Sequence, residues 1–298
     1  MASNEKKIGH TNKGKLIICP TPLGNLGDIT KRTLEAFSQC DVVCCEDTRV
    51  TGKLLSVLGI KKSLERLDEA TLSCKAEYIA QRVLSGEIIA YASDAGMPGV
   101  SDPGQRLVDA ALEVGAVVEV LPGPTALTTA YVASGFSAQS FYFGAFFPRK
   151  EGERKRLLSQ LKSLDAVLIF YESPLRLVSA LCALKELVPY RRVAVCRELT
   201  KIHEEVVRGT IDEVLRVFAD REKQEGIKGE IVLVIEAPNE QELRADKTNA
   251  LLSAEERVSD LLNSGQYSKK DIVRILKDEF GLTRNDAYEL VHHKGQIP

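Results

Sequence analysis

Ser93-Asp94-Ala95-Gly96-Met97-Pro98-Gly99-Val100-Ser101-Asp102-Pro103-Gly104 follows directly on the apolar run Ile88–Ala92. Three glycines and two prolines in twelve positions exclude a helix or a central strand here. The segment is instead a stiff loop at a strand end, exposing backbone N–H and C=O groups along a groove. Pro103 then stands where a helix begins and Gly115 where it stops, and 116–121 is strand-like again. A strand, a ligand-sized loop and a helix in that order are one repeat of a parallel α/β sheet.

Working upstream, the same repeat recurs. Residues 15–19 form a β-rich run, 28–40 a helical pattern with Asp28 as its expected N-cap, and 41–45 a second apolar run. Working downstream, the pattern changes after Pro122-Gly123-Pro124 without a long linker. A helix from Thr125 to Ser134 precedes strand-like 140–146, 166–171, 192–196 and 230–236, and Pro174 opens an amphipathic helix. The expected organisation is a disordered segment 1–14, α/β domains at 15–123 and 124–238, a polar linker at 239–252 and a helical extension at 253–298. That extension carries three helical patterns, 254–263, 268–280 and 283–293, punctuated by Gly265 and Gly281, and fits a helix-turn-helix unit.

The bulk composition excludes several classes. At 298 residues, 44% hydrophobic and 28% charged, the chain reads as a soluble globular protein. No run approaches the roughly 18 apolar residues of a membrane helix. The polar start Met-Ala-Ser-Asn-Glu-Lys-Lys has no apolar stretch of signal-peptide length, so a cytoplasmic location is expected. Seven cysteines, none in CxxC spacing, read as reduced and mostly buried, and no metal site is expected. A net charge of −2 means that a nucleic-acid partner needs a local basic surface.

Each remaining motif also sits at a strand end, where open α/β sheets bind ligands. Pro20-Thr21-Pro22-Leu23-Gly24-Asn25 is neither G-x-G-x-x-G nor a P-loop. Glu46-Asp47-Thr48-Arg49 puts an acidic pair at the end of an apolar run, where it needs partners. Leu121-Pro122-Gly123-Pro124-Thr125-Ala126 lies at the domain join, and interdomain clefts are preferred ligand sites. Phe170-Tyr171-Glu172-Ser173-Pro174 and Arg197-Glu198-Leu199-Thr200-Lys201 add polar groups from the second domain.

This ordered set, PTPLGN, EDTR, ASDAGMPGVSDPG, LPGPTA, FYESP and RELTK, resembles the tetrapyrrole-methylase superfamily from Lys15 to Glu236. Within it the set is most similar to the branch that methylates a cytidine 2′-hydroxyl in the decoding centre of small-subunit (16S) ribosomal RNA. The resemblance implies a two-domain tetrapyrrole-methylase-like α/β fold, a homodimer, and S-adenosylmethionine folded into the interdomain cleft. Carried over by position, the cofactor contacts fall on Leu23, on Ser93, Asp94, Ala95, Gly96, Met97 and Val100, on Thr125 and Ala126, and on Tyr171, Glu172 and Leu199. Porphyrin-acting members resemble G-x-G-P-G-D in the first loop. Here Pro20, Pro22 and Asn25 stand instead, which leans toward RNA or the assembled 30S subunit as the partner.

A 2′-hydroxyl is weakly acidic, so a base or a cation near the forming alkoxide is required. The candidates are Lys201, Arg49, Asp47, Glu46, Glu172 and Glu198. Lys201, its pKa lowered by neighbouring cations such as Arg197, is the favoured base, with a plain phosphate contact as its alternative role. Arg49 is expected to grip phosphate and Asp47 to orient the sugar or Arg49. Arg149, Lys150, Arg154, Lys155 and Arg156, preceded by Phe146-Phe147-Pro148, read as an RNA-facing rim or a solvated helix start. Lys269, Lys270, Arg274 and Lys277 gather on or near one tail helix, with Arg284, His292, His293 and Lys294 beyond. Three alternatives stay open: a small-molecule methylase, a nicotinamide oxidoreductase using Glu46 on a ribose, and a non-catalytic RNA-binding adaptor.

Overall fold

In the computed structural model, which describes residues 14–294, five parallel strands build the first sheet. They are β1 (Lys15–Ile18), β2 (Val42–Cys45), β3 (Ser63–Arg66), β4 (Ile88–Ala92) and β5 (Val117–Val120), in the order β3-β2-β4-β1-β5. Helices α1 (Lys31–Gln39), α2 (Thr48–Val57), α3 (Glu69–Leu84) and α4 (Gly104–Glu113) return the chain each time to the same sheet edge. Alternate residues of β1 serve opposite faces. Leu16 and Ile18 pack with Leu72, Ile79 and Leu107 of α3 and α4, while Ile17 packs with Phe37 of α1 and Leu55 of α2.

A second, mixed sheet holds β6 (Ser140–Phe146), β7 (Ala166–Glu172), β8 (Arg192–Arg197), β9 (Glu205–Thr210) and β10 (Ile231–Ile235), in the order β6-β7-β10-β8-β9. β10 runs antiparallel to both of its neighbours, so its first residues lie at their last ones. Helix α5 (Ala126–Ser134) covers one face; α6 (Glu151–Leu161), α7 (Leu177–Leu187) and α8 (Ile211–Gln224) cover the other. The chain thus has the expected α/β class.

Two details differ from the sequence reading. Thr30, not Asp28, caps α1, accepting from Thr33 N–H; Leu26–Asp28 is a separate 3₁₀ turn. The expected linker 239–252 is helical, because α9 runs unbroken over Glu240–Ser264. Asn239 caps it, and Glu242 in its first turn pairs with Arg191, whose side chain is fully buried, at 2.8 Å. That tertiary contact, invisible in local composition, converts a polar stretch into a docked helix. The expected segment 1–14 lies, up to residue 13, outside the described residues.

The third unit packs α9 against α10 (Lys269–Phe280) and α11 (Arg284–Lys294) around Ala254, Val258, Ile272, Leu276 and Val291. Ser268 and Asp271 form a capping box at the start of α10, and left-handed Gly265 and Gly281 end α9 and α10. Among the described residues no helix is long and apolar enough to cross a membrane, and no three His, Cys, Asp or Glu side chains gather as a metal site.

Candidate active site

The loops after β1 and β4 are sewn together before anything binds them. Thr21 N–H donates to Gly96 O (2.9 Å), Gly96 N–H returns to Thr21 O (3.1 Å), and Thr21 Oγ1 donates to Ser93 O (3.1 Å). Gly96 sits at φ +81°, and a Cβ there would approach Leu23 Cδ2 to 3.1 Å, so backbone itself forms this wall. Asp102 Oδ1 accepts from Gly99 N–H (2.7 Å) and Gly104 N–H (2.9 Å), closing the turn that leads into α4. Thr125 caps α5 by accepting from Thr128 N–H, aiming the helix's free amides at the same space.

These loops and the ends of β7, β8 and β10 enclose a cavity of about 420 Å³ between the two domains, within the size range of ligand sites. It is lined by Leu23, Ser93, Asp94, Ala95, Gly96, Met97, Val100, Thr125, Ala126, Tyr171, Glu172 and Leu199, so the structure brings every residue expected to hold the cofactor to one place. Glu172 is buried at its edge. Its Oε1 accepts from Ser173 N–H and from Arg176, while Oε2 is buried with no partner among the described residues. An unpaired buried acceptor beside a cavity is suited to a ligand's N–H or O–H.

The expected catalytic residues lie outside this lining, and one role is overturned. Lys201 comes from the second domain, with its stem so close to the first loop that a Cβ on Gly24 would fall 2.3 Å from Lys201 Cγ. Its Nζ lies 2.8 Å from Glu198 Oε1 and 3.2 Å from Glu230 Oε2. Burial pulls its pKa down, but the two carboxylates outweigh burial and leave it raised. Arg197, expected to push it the other way, is engaged with Glu205 at 3.0 Å. Lys201 is therefore held as an ammonium, not as a neutral base. Asp47 caps α2 and pairs with Arg49 at 2.5 Å; the Arg49 side chain and N–H hold that carboxyl well below its usual range. Arg49, held by Asp47 through Nε and Nη2 but with 89% of its side chain exposed, can still turn Nη1 to an anion.

Of the six candidates for base or cation, Glu46 and Glu172 reach the cavity, and Glu172 is held by Arg176. Burial pushes the Glu46 pKa up to about 7, with repulsion from Asp102 and Asp94 adding to it and an Asp94 N–H hydrogen bond opposing. A carboxyl poised there can accept a proton near neutrality. Sequence reasoning missed the segment Gly229–Val232, which lines the opposite side. It spans the start of a strand rather than following the end of one, and only the antiparallel insertion of β10 between β7 and β8 brings it to the edge. The basic block also reads differently. Arg154 is buried, donating to Pro148 O (2.7 Å) and Ser179, so it holds α6 in place rather than facing RNA.

Strain marks the second-domain wall. Glu198 and Thr200, on either side of the lining residue Leu199, adopt left-handed φ of 53° and 65°, and Thr200 Oγ1 is buried with no partner among the described residues. Such conformations persist where surrounding structure over-determines them.

A sequence profile described as Tetrapyrrole (Corrin/Porphyrin) Methylases matches residues 15–215, and the chain belongs to that family. It is similar to the ribosomal RNA small subunit methyltransferase I of Bacillus subtilis (strain 168), with 37% identity over 287 residues covering 96% of this chain and 97% of that protein. It is also similar to the ribosomal RNA small subunit methyltransferase I of Thermotoga maritima, with 42% identity over 222 residues covering 74% of this chain and 98% of that protein. Among solved structures, diphthine synthase superposes with a TM-score of 0.60 at 15% identity, over 74% of this chain and 90% of that one. Uroporphyrin-III-C-methyltransferase from Thermus thermophilus superposes with 0.51 at 20% identity, over 75% and 94%. At those identities the superpositions establish the fold alone.

Proposed function

We propose that the chain methylates the 2′-hydroxyl of a cytidine in small-subunit ribosomal RNA, using S-adenosylmethionine held in the interdomain cavity. The observation that carries this reading is the convergence of both domains' loops on one 420 Å³ space. The similarity to relatives named for that RNA supports the substrate class.

The residues fit the cofactor. The Thr21–Gly96 wall offers backbone to a flat nucleoside, the amides of Thr125 and Ala126 at the start of α5 suit a carboxylate, and the free Oε2 of Glu172 accepts from a hydroxyl or amine. When bound, S-adenosylmethionine supplies an electrophilic methyl carbon. The protein's main task is to hold the ribose oxygen in line with that carbon, where orientation removes several kcal/mol of barrier. In this reading Glu46, raised toward neutrality, takes the hydroxyl proton at its carboxylate. Lys201, fixed as a cation at the seam of the domains, stabilises negative charge on the sugar-phosphate side. Arg49, oriented by Asp47, grips a phosphate.

The third unit adds affinity rather than chemistry. Lys269, Lys270, Lys277 and Arg284 make no ion pair among the described residues, leaving a cationic α10–α11 side for phosphates. The 222 matched residues that nearly complete the Thermotoga maritima relative are too few for both α/β domains and a helical unit as well.

Calorimetry should detect one tight S-adenosylmethionine site, and methyl transfer to small subunits lacking the modification should map to one cytidine ribose. Absence of that binding, or methylation of a porphyrin precursor in place of RNA, would refute the reading. A chain ending at Asp246 keeps Glu242 beneath Arg191. It should bind the cofactor normally while its KM for the subunit rises about tenfold or more.

A further inference from the structure

Strand β6 contains one residue too many. Its register against β7 runs Phe143 opposite Ile169 and then Phe146 opposite Tyr171, so three steps on β6 span two on β7. The extra residue is absorbed at Ala145, whose φ of 53° lies in the left-handed region. The consequence is a swap of faces. Tyr142 packs on the core beneath Phe170, and Gly144 faces the same way, since a Cβ on it would lie 2.2 Å from Phe170 Cε1. Strict alternation would put Phe146 on that buried face as well. With the bulge, Phe147 takes the core position instead, 1% exposed and 5.1 Å edge-to-face from Phe170. Phe146 is turned onto the cavity side, 57% exposed and packed edge-on against Tyr171 at 5.7 Å.

The fold therefore spends a strained alanine to keep an aromatic ring out of a core and stand it at the mouth of the cavity. Three and four residues further along the chain, Arg149 and Lys150 are exposed cations; Lys150 meets Glu153 at 3.3 Å, and Arg149 makes no ion pair among the described residues. An exposed flat ring at a cavity mouth, followed closely in the chain by an unpaired cation, is the chemistry that receives an unstacked nucleobase and its phosphate. We propose that Phe146 is the platform of a nucleobase subsite, on which the base of the target nucleotide or its neighbour stacks. This rests on the reading of the chain as an RNA methylase and extends it to the residue that presents the base.

The test compares Phe146→Ala, Phe146→Leu and Phe146→Tyr with the parent chain. S-adenosylmethionine binding is read by calorimetry and methyl transfer to unmodified small subunits by initial rates. Because the ring lies outside the core, F146A should melt with the parent. Its KM for the subunit should rise roughly 10- to 100-fold, the range of one lost stacking contact. Its cofactor affinity should fall far less than its affinity for the subunit, because the ring stands at the mouth of the cavity and is 57% exposed. F146Y should restore the parent KM, and F146L should not. Three results overturn the proposal: F146A methylating like the parent, F146L serving as well as F146Y, or F146A losing cofactor affinity as much as RNA. A parent chain that neither binds S-adenosylmethionine nor methylates the subunit removes the functional reading and this subsite together. A fully active parent with an unaffected F146A removes only the subsite.

Discussion

The two walls of the cavity are built on opposite principles. The first-domain wall is main chain, with reciprocal Thr21–Gly96 hydrogen bonds, Asp102 closing its own turn, and left-handed positions at Gly96 and Gly99. The second-domain wall is side chains, Phe146, Tyr171, Glu172 and Leu199, bordered by strain: Glu198 and Thr200 flank Leu199 in left-handed backbone, the bulge at Ala145 precedes Phe146, and Lys201 between two carboxylates stands just outside the lining. Backbone amides recognise any molecule of the right outline and hold their positions without a ligand. Charged side chains and aromatic rings discriminate and can rearrange. In the proposed reading the cofactor rests on the first wall's backbone and also meets Glu172 of the second, while Arg49 and Lys201, one from each domain, face the RNA.

The sharpest way to break this contrast is Gly96→Val. A branched side chain at φ +81° and against Leu23 displaces the loop, and we expect cofactor affinity to fall by at least about 100-fold. Calorimetry showing parent affinity would mean that the first wall does not carry the cofactor.

Glu46→Gln ranks next, with a loss of about 100-fold in kcat and little change in either KM. The parent rate should climb as pH passes about 7, where Glu46 loses its proton, and the variant should lack that inflection. Stability supplies an independent sign. The folded pKa lies above the unfolded 4.5, so neutral Glu46 favours the fold below that value, and the contribution fades as pH rises through about 7. E46Q should thus match the parent Tm near pH 4.5 and exceed it at pH 8.

Lys201→Ala gives the smallest effect, about tenfold in kcat/KM, with the pH inflection unmoved. A displaced inflection would return Lys201 to proton transfer and blur the division between the walls.

What local sequence reveals follows the same division. The first wall was legible because proline and glycine dictate a turn from within the turn itself, and one loop announces its own rigidity. The state of Lys201 was not legible, because Glu230, which helps hold it cationic, stands 29 residues away across an antiparallel pairing. The same non-local pairing hid Gly229–Val232. The helix at 239–252 was hidden because its anchor, Arg191, lies 51 residues from Glu242. The face swap at Phe146 turns on a single backbone dihedral at Ala145, and an alanine gives no warning of φ > 0.

That anchor has a mechanical consequence. Arg191 and Glu242 are sealed from water, and Asn239 bonds to Tyr190 O at 2.5 Å, so α9 is clamped at its root rather than hinged. Its 25 residues then act as a stiff boom about 37 Å long. The outer helices fold back along it as far as the Lys247–Asp286 pair at 3.3 Å, so the clamp at the root of α9 fixes the position of the whole helical unit.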